Sequence, residues 1–314
     1  MTHPGYVFGV GERTVVRETM SAHQTTTERG RWPTRRTVLF GLATAAVGTV
    51  LVGKRRVSAR TARSIDALRA ASSGGPTRAV TEADFADLPA PARRYFETVL
   101  EPGTPYVRTA RLTQRGVFRL GDADSSWHPL EATQHYTVDP PGFVWDASIR
   151  LGSVLPVSVI DSYVDGTGSL AAHLLWTVPV ADADPSPELD AGELQRYLAE
   201  AVWFPTALLP ESGVEWTAID DSTARATLTD GDVSVSLSFH FDDDNLVDRV
   251  VADERYRAVD DGFETARWTG YFEDYAERGG MLVPTRGEVA WTLPDGDLPY
   301  WRGEITAFEY ETAK

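Results

Sequence analysis

The 314-residue sequence has no cysteine, and lysine occurs only at Lys54 and Lys314. The lack of cysteine excludes a disulfide framework, a thiolate nucleophile and a cysteine-ligated metal. The G-x-S-x-G, H-E-x-x-H, G-x-G-x-x-G and P-loop motifs are also missing, which removes the usual signatures of hydrolases, zinc proteases and nucleotide-binding proteins. The six histidines are scattered, with none paired at a helical spacing, so we expect neither a metal centre nor a cofactor.

Acidic residues dominate the chain and give it a formal net charge of −16. The excess is uneven: residues 1–64 carry eleven Lys and Arg against three Glu, whereas the remainder carries 19 basic and 43 acidic residues. An acidic surface that is poor in lysine is typical of halophilic proteins, because the charge keeps them soluble. The absence of a basic stripe after residue 64 argues against nucleic acid as a partner. We therefore interpret the carboxylates as surface solvation rather than as a cation site.

Long hydrophobic runs are scarce as well, and the one candidate is the uncharged, seventeen-residue stretch 37–53. Its length is at the short end for a transmembrane helix, and basic residues flank it on both sides. Residues 34–39, TRRTVL, resemble a twin-arginine signal, and no clear cleavage site follows. We expect an uncleaved single-pass anchor in the cell membrane with an external domain, although the basic residues 54–56 favour the opposite orientation. A buried core helix is the alternative.

These patterns divide the chain into four segments: a basic N-terminal segment at 1–36, the transmembrane or signal-anchor helix at 37–53, a linker at 54–80 and one domain at 81–314. The linker is inferred from its Arg, Ala and Ser content and from the sequence SSGGP at 72–76. Met20 is an alternative start, because residues 1–19 add nothing that a signal segment needs.

From Pro105 onward, apolar residues alternate with polar ones, which is the pattern of half-buried β-strands. The clearest examples are residues 110–120, 143–151, 170–178 and 233–241. We count about eleven or twelve such segments without βαβ alternation, which predicts a meander of antiparallel strands. A sheet of that size has to curl, close or split in order to accommodate its twist and protect its edges.

One segment inside this β-rich region is strongly helical, residues 190–205. Asp190 and Glu193 have the spacing of a capping box, and Pro205 ends the pattern. Five residues fall on a single apolar stripe: Leu194, Tyr197, Leu198, Ala201 and Val202. A lone amphipathic helix has to bury this stripe against the sheet. The predicted fold is therefore mainly β (α+β), a highly curved antiparallel sheet or unclosed β-barrel wrapped on an internal helix, with an N-terminal membrane helix.

Candidate ligand-binding residues come from the surplus of tryptophan and from the internal helix. A curled sheet with one helix often leaves an apolar trough, and bulky aromatic side chains line such sites. Arg196 and Glu200 lie one helical turn apart, either as a surface ion pair or as a carboxylate held by an arginine inside a cleft. We therefore predict that a ligand contacts seven residues: Trp145, Trp176, Tyr197, Glu200, Trp203, Trp216 and Trp291. No catalytic or metal-ligating residue is predicted.

Several short motifs resemble those of an uncharacterised family of domains known from haloarchaea and some bacteria. The likeness covers about residues 85–311. Its most specific part is RYLAEAVWFP at 196–205, and the others are LPAPARRY at 88–95, PPGFVW at 140–145, VEW at 214–216, PTRGEV at 284–289 and YWRG at 300–303. More distantly, the strand order with a middle helix is similar to the unclosed barrel of the LolA and LolB lipoprotein carriers. That resemblance implies an apolar trough for acyl chains.

The function that these patterns favour is a membrane-anchored, non-catalytic domain that binds an apolar or lipid-like ligand. The alternative is a structural or protein-interaction module of the cell envelope, whose trough is filled by its own side chains. An enzyme that uses Glu200 is the least supported hypothesis, because no residue is placed to activate a nucleophile.

Overall fold

The computed structural model describes residues 35–72, 78–152, 154–183, 185–259 and 262–312, and of residues 35–47 only the backbone. Within these ranges the α-helices are α1 (Arg35–Ala71), α2 (Ala83–Ala86), α3 (Ala90–Val99) and α4 (Pro187–Glu200). The strands are β1 (Val107–Arg119), β2 (Trp127–Thr137), β3 (Gly142–Leu151), β4 (Leu155–Val164), β5 (Thr167–Leu174), β6 (Val178–Ala183), β7 (Val214–Ala218), β8 (Thr223–Asp230), β9 (Val233–Phe241), β10 (Val247–Val259), β11 (Gly262–Arg278), β12 (Met281–Leu293) and β13 (Gly296–Thr312).

All of these strands form one antiparallel sheet, in the order β6-β5-β4-β3-β2-β1-β13-β12-β11-β10-β9-β8-β7. Two meanders, β1–β6 and β7–β13, are joined by pairing between the first and the last strand, where Leu112 lies opposite Phe308. The chain connects the two outer edges, β6 and β7, through α4. Because α4 contacts β3, β4 and β5 of one meander and β9 and β10 of the other, the sheet is curled around it. This confirms the predicted curved sheet with an internal helix.

The sheet has thirteen strands rather than eleven or twelve, since the predicted strand at 170–178 is in fact a hairpin. β5 ends at Leu174. The next two residues, Leu175 and Trp176, have positive φ values of 51° and 60°, and Thr177 N–H donates to the Leu174 carbonyl at 3.1 Å. These features are those of a type I′ turn over residues 174–177, within a three-residue connection between β5 and β6. Such turns prefer Asn-Gly, so a Leu-Trp sequence gives no sign of one.

The internal helix α4 begins three residues earlier than predicted. Ser186 is its N-cap, and the Ser186 hydroxyl accepts from Leu189 N–H at 3.2 Å. The predicted capping box of Asp190 and Glu193 is therefore wrong, because both residues lie inside the helix. Instead, the Asp190 carboxylate accepts from Gly168 N–H at 2.6 Å and ties the helix to the start of β5.

The apolar stripe of α4 faces the sheet, as predicted. Its members are all buried: Leu194, Tyr197, Leu198, Ala201 and Val202. The helical region does not stop at Pro205. Three 3₁₀ turns continue it, at Ala201–Trp203, Pro205–Leu208 and Pro210–Ser212. A proline is tolerated in the first position of such a turn, because the N–H group that it lacks would have no partner there.

Another part of the core is covered by α3, which packs against β7, β8 and β12. The helix buries Ala92, Tyr95, Phe96 and Val99. Phe96 meets the ring of Trp216 edge-on at 5.8 Å between centroids. Most of the volume inside the curled sheet is therefore filled by the protein's own side chains.

The helix α1 lies on the outer face of the sheet, against β2, β3 and β4. Val57 and Leu68 of α1 pack with Val144 and Ile160 in a small apolar cluster that is separate from the main core. The segment 54–71, predicted to be part of the linker at 54–80, is therefore helical and packed on the sheet. Its apolar residues at helical spacing explain the difference, since they bury one face of the helix.

The predicted membrane anchor falls at the beginning of α1. Residues 1–34 lie outside the described part of the chain, and so do the side chains of 35–47, so the basic segment and the twin-arginine pattern stay predictions. In the part of the chain that is described, no helix is both long and apolar enough to span a membrane. At Gly53, α1 approaches the β5–β6 turn so closely that a Cβ atom would lie 2.6 Å from the Trp176 carbonyl oxygen.

Candidate functional site

A partly enclosed cavity of about 220 Å³ lies between α4 and the concave face of the sheet. Strands of both meanders contribute to its walls. Most of the lining is aromatic or aliphatic, with Phe118, Leu170, Trp203, Phe272, Val289 and Trp301 among its residues. Charged side chains also reach it, among them Asp161, Arg196, Glu200 and Arg255. The site is thus an apolar cavity beside a group of buried charges.

Arg196 is at the centre of the charged group. Its Nη1 donates to Asp161 Oδ2 at 2.5 Å, and its Nε donates to Glu200 Oε1 at 2.9 Å. Its guanidinium group lies 4.9 Å from the ring centroid of Phe143 and 4.8 Å from that of Trp145. Only 16% of the Arg196 side chain and 14% of the Glu200 side chain are exposed. The pair is therefore a carboxylate held inside a cleft and not a pair on the helix surface.

The second oxygen of Glu200 is held by a chain of hydrogen bonds among uncharged side chains. Glu200 Oε2 accepts from Gln134 Nε2 at 2.7 Å and from the Tyr136 hydroxyl at 3.0 Å. Gln134 Oε1 accepts from Gln114 Nε2 at 2.9 Å, and Gln114 Oε1 accepts from Trp145 Nε1 at 2.8 Å. Because every member has a partner, this network fixes the carboxylate in place.

Arg255, in β10, is the second buried cation. Its Nη2 donates to the Gly192 carbonyl at 3.0 Å, and none of the ion pairs in the described ranges includes it. The guanidinium group lies 4.9 Å from the ring centroid of Trp268 and 5.6 Å from that of Trp291. These cation–π contacts stabilise the charge. The Arg255 Nε has no hydrogen-bond partner among the described residues.

Burial shifts the pKa of two carboxyl groups near these arginines. It raises the pKa of Glu193 to about 8, and the charge of Asp161 acts in the same direction. Burial also raises the pKa of Asp161, against the attraction of Arg196 and Arg255. Glu193 is therefore mainly protonated at neutral pH. Across the residues that the structure describes, no group of three or more His, Asp or Glu side chains is suited to hold a metal ion.

Three buried polar atoms at the cavity have no hydrogen-bond partner in the described part of the chain: Trp203 Nε1, Arg255 Nε and Asp161 Oδ1. Their residues are 3%, 7% and 8% exposed, respectively, and all three line the cavity. Buried polar groups in folded proteins are normally paired with protein or with water. Each of these three atoms is itself almost fully enclosed by protein, so the residues line the cavity mainly through their other atoms.

The segment that builds this site matches a known family. The family of unknown function DUF6920 matches residues 86–310, which include α4 and every residue named at the cavity. The chain belongs to DUF6920. This confirms the likeness to uncharacterised domains that RYLAEAVWFP and the other motifs predict. No relative among curated proteins matches the chain.

One solved structure similar to this DUF6920 chain is the crystal structure of the LolA superfamily protein NE2245 from Nitrosomonas europaea. The likeness covers 70% of this chain and 93% of that chain, at 11% sequence identity and a TM-score of 0.28. At this TM-score it carries no argument about the site or its ligand.

The DUF6920 fold brings four of the seven predicted ligand-binding residues together. Trp145, Glu200 and Trp203 line the cavity. Trp291 borders it, stacked on the lining residue Tyr300 at 6.1 Å between ring centroids. Their position agrees with the predicted trough, while their contact with a ligand stays a prediction.

The other three predicted residues lie away from this cavity. Tyr197 packs in the core, with its ring centroid 6.4 Å from that of Tyr136. Trp216 is also in the core, where its Nε1 donates to the Leu208 carbonyl at 2.8 Å. Trp176 forms the β5–β6 turn beside α1, and Lys54 Nζ lies 5.2 Å from its ring centroid. Tryptophan content alone does not separate core residues from lining residues.

Sequence reasoning missed Asp161 and Arg255. A charged residue in a β-strand normally lies at the surface, so neither residue type indicates a buried site. Asp161 nevertheless lies on the same face of β4 as Val157, Val159 and Tyr163, which belong to the main core, and this alternation directs it inward. The β10–β11 register shifts between Ala252 and Arg255, and a β-bulge of this kind redirects the side chains that follow it.

Proposed function

We propose that this DUF6920 domain binds an apolar or lipid-like ligand in the cavity between α4 and the curled sheet, without catalysing a reaction. The observation that carries the proposal is an aromatic-lined cavity in a core that is otherwise filled. An apolar pocket with a few convergent polar groups is the usual form of a small-molecule site. Because Glu200 is bonded within a closed network, we infer a role in binding and shaping the site.

The volume of the cavity limits the part of the ligand that it can enclose. An engineered apolar cavity of about 150 Å³ holds benzene, and sites for drug-sized ligands measure about 300–1,000 Å³. A cavity of about 220 Å³ therefore admits one ring or a short segment of an acyl chain. The remainder of a longer ligand would lie at the cavity opening.

The proposal includes attachment to the membrane through residues 37–53. Its support is the apolar sequence of this segment and the continuity of α1, which leads from it onto the sheet. Five exposed apolar residues lie on this helix or beside the β3–β4 and β5–β6 turns: Leu51, Val52, Val154, Leu155 and Val178. The two turns are neighbours, since Leu175 N–H donates to the Pro156 carbonyl at 2.9 Å. Exposed apolar residues grouped in this way suit contact with a bilayer.

Heavy-atom quenching tests the apolar site in the full-length chain reconstituted in nanodiscs. 1-Bromohexane quenches the fluorescence of tryptophans that it contacts, and Trp145, Trp203 and Trp301 line the cavity. We expect a saturable component of quenching in the wild type, in addition to a linear component from partition into the bilayer. Val289→Phe fills the cavity and is expected to remove the saturable component.

Val180→Phe is the matched control. Val180 is also half-buried and packs against the core, but it does not line the cavity. This variant is expected to behave as the wild type does. Quenching that is only linear in the wild type, or that is unchanged in Val289→Phe, would contradict the binding site and favour a structural module with a filled core. Mass spectrometry of extracts from the wild type and Val289→Phe then identifies the natural ligand, because lipids held by the anchor are common to both.

A further inference from the structure

A basic groove of about 780 Å³ lies between α1 and the β5–β6 hairpin, on the outer side of the sheet. Arg56, Arg60 and Arg63 belong to its α1 wall, and His173 and Trp176 belong to the opposite wall. Among the described residues, none that lines the groove is acidic. The formal net charge of the chain is −16, so a groove without carboxylates stands out from the acidic surface around it.

The three arginines lie on one side of α1 without carboxylate partners. Their spacing of four and three residues places them on successive turns of the same helix face. All three are exposed, and none of the ion pairs in the described ranges includes them. Arg63 Nε donates to the Ala59 carbonyl at 3.1 Å, within the helix. Like charges at this spacing repel one another, so an anion bound beside them would relieve the repulsion.

The groove is apolar at one end and basic at the other. Val52 lines the end toward the apolar segment 37–53, and the exposed Leu51 precedes it. Arg60 lies about 12 Å farther along the helix axis than Val52, at about 1.5 Å per residue. Trp176 contributes an aromatic ring, a side chain that is enriched at membrane–water interfaces. This order matches a lipid whose acyl chains lie toward the apolar segment and whose headgroup lies at the arginines.

We propose that this groove binds the phosphate group of an anionic lipid headgroup at the surface of the bilayer. A guanidinium group donates two parallel hydrogen bonds to a phosphate, and three arginines on one wall supply several such donors. Basic residues next to a membrane segment are attracted to anionic lipids. A zwitterionic lipid carries the same phosphate, but its ammonium group cancels the charge, so the groove selects lipids with a net negative charge. The inference extends the proposed membrane attachment and is independent of the ligand in the cavity.

Arginine footprinting with phenylglyoxal tests the groove in the full-length chain reconstituted in nanodiscs, at a salt concentration of about 0.15 M. The discs contain either phosphatidylcholine alone or an equal mixture of phosphatidylcholine and phosphatidylglycerol, and peptide mass spectrometry gives the reaction rate of each arginine. We expect Arg56, Arg60 and Arg63 to react at least about fivefold more slowly in the anionic discs. Arg69, near the far end of α1, is expected to react at the same rate in both.

Arg56→Gln provides the residue-level test, and Arg55→Gln is the matched control. The two neighbours differ by only about 1.5 Å in position along the helix axis, and of the two only Arg56 lines the groove. In Arg56→Gln the protection of Arg60 by anionic lipid is expected to fall at least about threefold, whereas Arg55→Gln is expected to preserve it. Val289→Phe, which fills the cavity, is also expected to preserve this protection.

Inorganic phosphate separates the two sources of a phosphate group. Added to the neutral discs at the molar concentration of the phosphatidylglycerol, it is expected to give no protection. Protection equal to that by the anionic discs would overturn the lipid headgroup as the ligand.

The other outcomes separate this inference from the proposed function. Equal reaction rates of the three arginines in both kinds of disc would overturn the groove as a binding site, and so would an equal effect of Arg55→Gln and Arg56→Gln. In both cases the ligand site in the cavity would stand. A chain that does not co-elute with the discs would instead contradict the proposed membrane attachment, while the footprint in the presence of the same discs would still decide the inference.

Discussion

An arginine followed four residues later by a glutamate occurs on two helices of this protein, once exposed and once buried. In α3, Arg93 Nε lies 3.8 Å from Glu97 Oε1, and the two side chains are 44% and 54% exposed. In α4, the equally spaced Arg196 and Glu200 are shielded, and Asp161 is a third member of the group. Exposed pairs contribute at most about 1 kcal/mol. Removing one partner of a buried pair costs about 3–5 kcal/mol, because the remaining charge is left without compensation.

We expect Arg196→Met to lower the free energy of unfolding by about 3 kcal/mol or more. Methionine keeps an apolar contact with the rings beside it, while Asp161 and Glu200 lose their cation. Arg93→Met is the matched control and is expected to cost less than about 1 kcal/mol. Urea unfolding at constant salt measures both values. Similar losses in the two variants would contradict the buried network.

Glu193 gives the stability of the protein a pH dependence. Its pKa rises from 4.5 to about 8 on burial, so the folded chain holds this proton more tightly than the unfolded chain does. Stability contributed by Glu193 is therefore complete below pH 4.5 and is lost as the pH rises through about 8. We expect Glu193→Gln to be more stable than the wild type at pH 8.5, by on the order of 1 kcal/mol or more, since each pKa unit corresponds to about 1.4 kcal/mol.

The advantage of Glu193→Gln is expected to disappear at about pH 3.5, one unit below the unfolded-state pKa of 4.5, where the native glutamate is mainly neutral in both states. Glu215→Gln, at an exposed position of β7, serves as the control and is expected to show no such difference. Thermal unfolding at both pH values and constant ionic strength makes the comparison. An equal effect of Glu193→Gln at the two pH values would contradict the assignment.

At this scale, sequence patterns predict only part of the site. The spacing of Arg196 and Glu200 places both on one side of a helix, and their pairing follows from that spacing alone. Asp161 joins them from a strand 35 residues away in sequence, a contact that depends on how the sheet curls. The direction of the Arg255 side chain depends on a β-bulge, and no residue type in the sequence predicts that bulge. Local pairing is thus readable from the sequence, and convergence of distant strands is not.

At the scale of single elements, the β5–β6 turn departs most clearly from its preferred sequence. A type I′ turn needs positive φ at both central residues, where most side chains cost about 1–2 kcal/mol. Leu175 and Trp176 both accept that cost here. Trp176 is packed beside α1, whereas Leu175 has no comparable contact among those described for the turn.

We expect Leu175→Asn to raise the free energy of unfolding by up to about 1 kcal/mol, because asparagine tolerates the left-handed region. Leu174→Asn is the control. Leu174 lies in β5 opposite Val157 and packs against the core, so this variant is expected to be destabilising. Chemical unfolding of both variants distinguishes them. A loss of stability in Leu175→Asn would contradict the assigned turn.

The elements themselves were predicted with uneven success, for local reasons. The stripe of α4 follows from helical periodicity, and the structure confirms it. The helix start was misplaced because Asp190 and Glu193 imitate a cap, while the real cap, Ser186, precedes a proline. The hairpin was missed because its turn lacks glycine and asparagine. Periodicity therefore identified the elements better than it placed their ends.

At the scale of the whole molecule, the two meanders meet around α4 and also touch each other directly. The hydroxyl of Tyr163, in β4, donates to Asp230 Oδ2, at the end of β8, at 2.9 Å. These strands lie in opposite halves of the sheet order, so the bond joins the two sides of the curl. It holds the sheet in its curled form without closing the barrel through strand pairing.

We expect Tyr163→Phe to lower the free energy of unfolding by about 1.5–3 kcal/mol, since the bond involves a charged acceptor. Tyr95→Phe is the matched control, because the buried Tyr95 hydroxyl has no partner among the described residues. Its removal is expected to be neutral or stabilising. Guanidinium unfolding compares the two. A larger loss in Tyr95→Phe than in Tyr163→Phe would contradict the role of the bond across the curl.

The overall architecture was the most predictable part. Alternating strands without crossover helices leave an antiparallel meander as the natural solution, and one amphipathic helix between two sets of strands has to be wrapped. The pairing of β1 with β13 was not predictable, since it joins residues about two hundred positions apart and carries no local signal. The cavity depends on the same long-range pairing, which is why its lining was only partly foreseen.

The continuity of α1 bears on how the cavity would meet a bilayer. The helix is 37 residues long, or about 55 Å at about 1.5 Å per residue. Its second half is fixed to the sheet by Val57 and Leu68. With the proposed anchoring, α1 is a rigid connection and not a flexible linker, so the domain keeps a constant distance and tilt relative to the bilayer. Any ligand would then have to move to the cavity opening, because a rigid connection does not let the domain move toward the ligand.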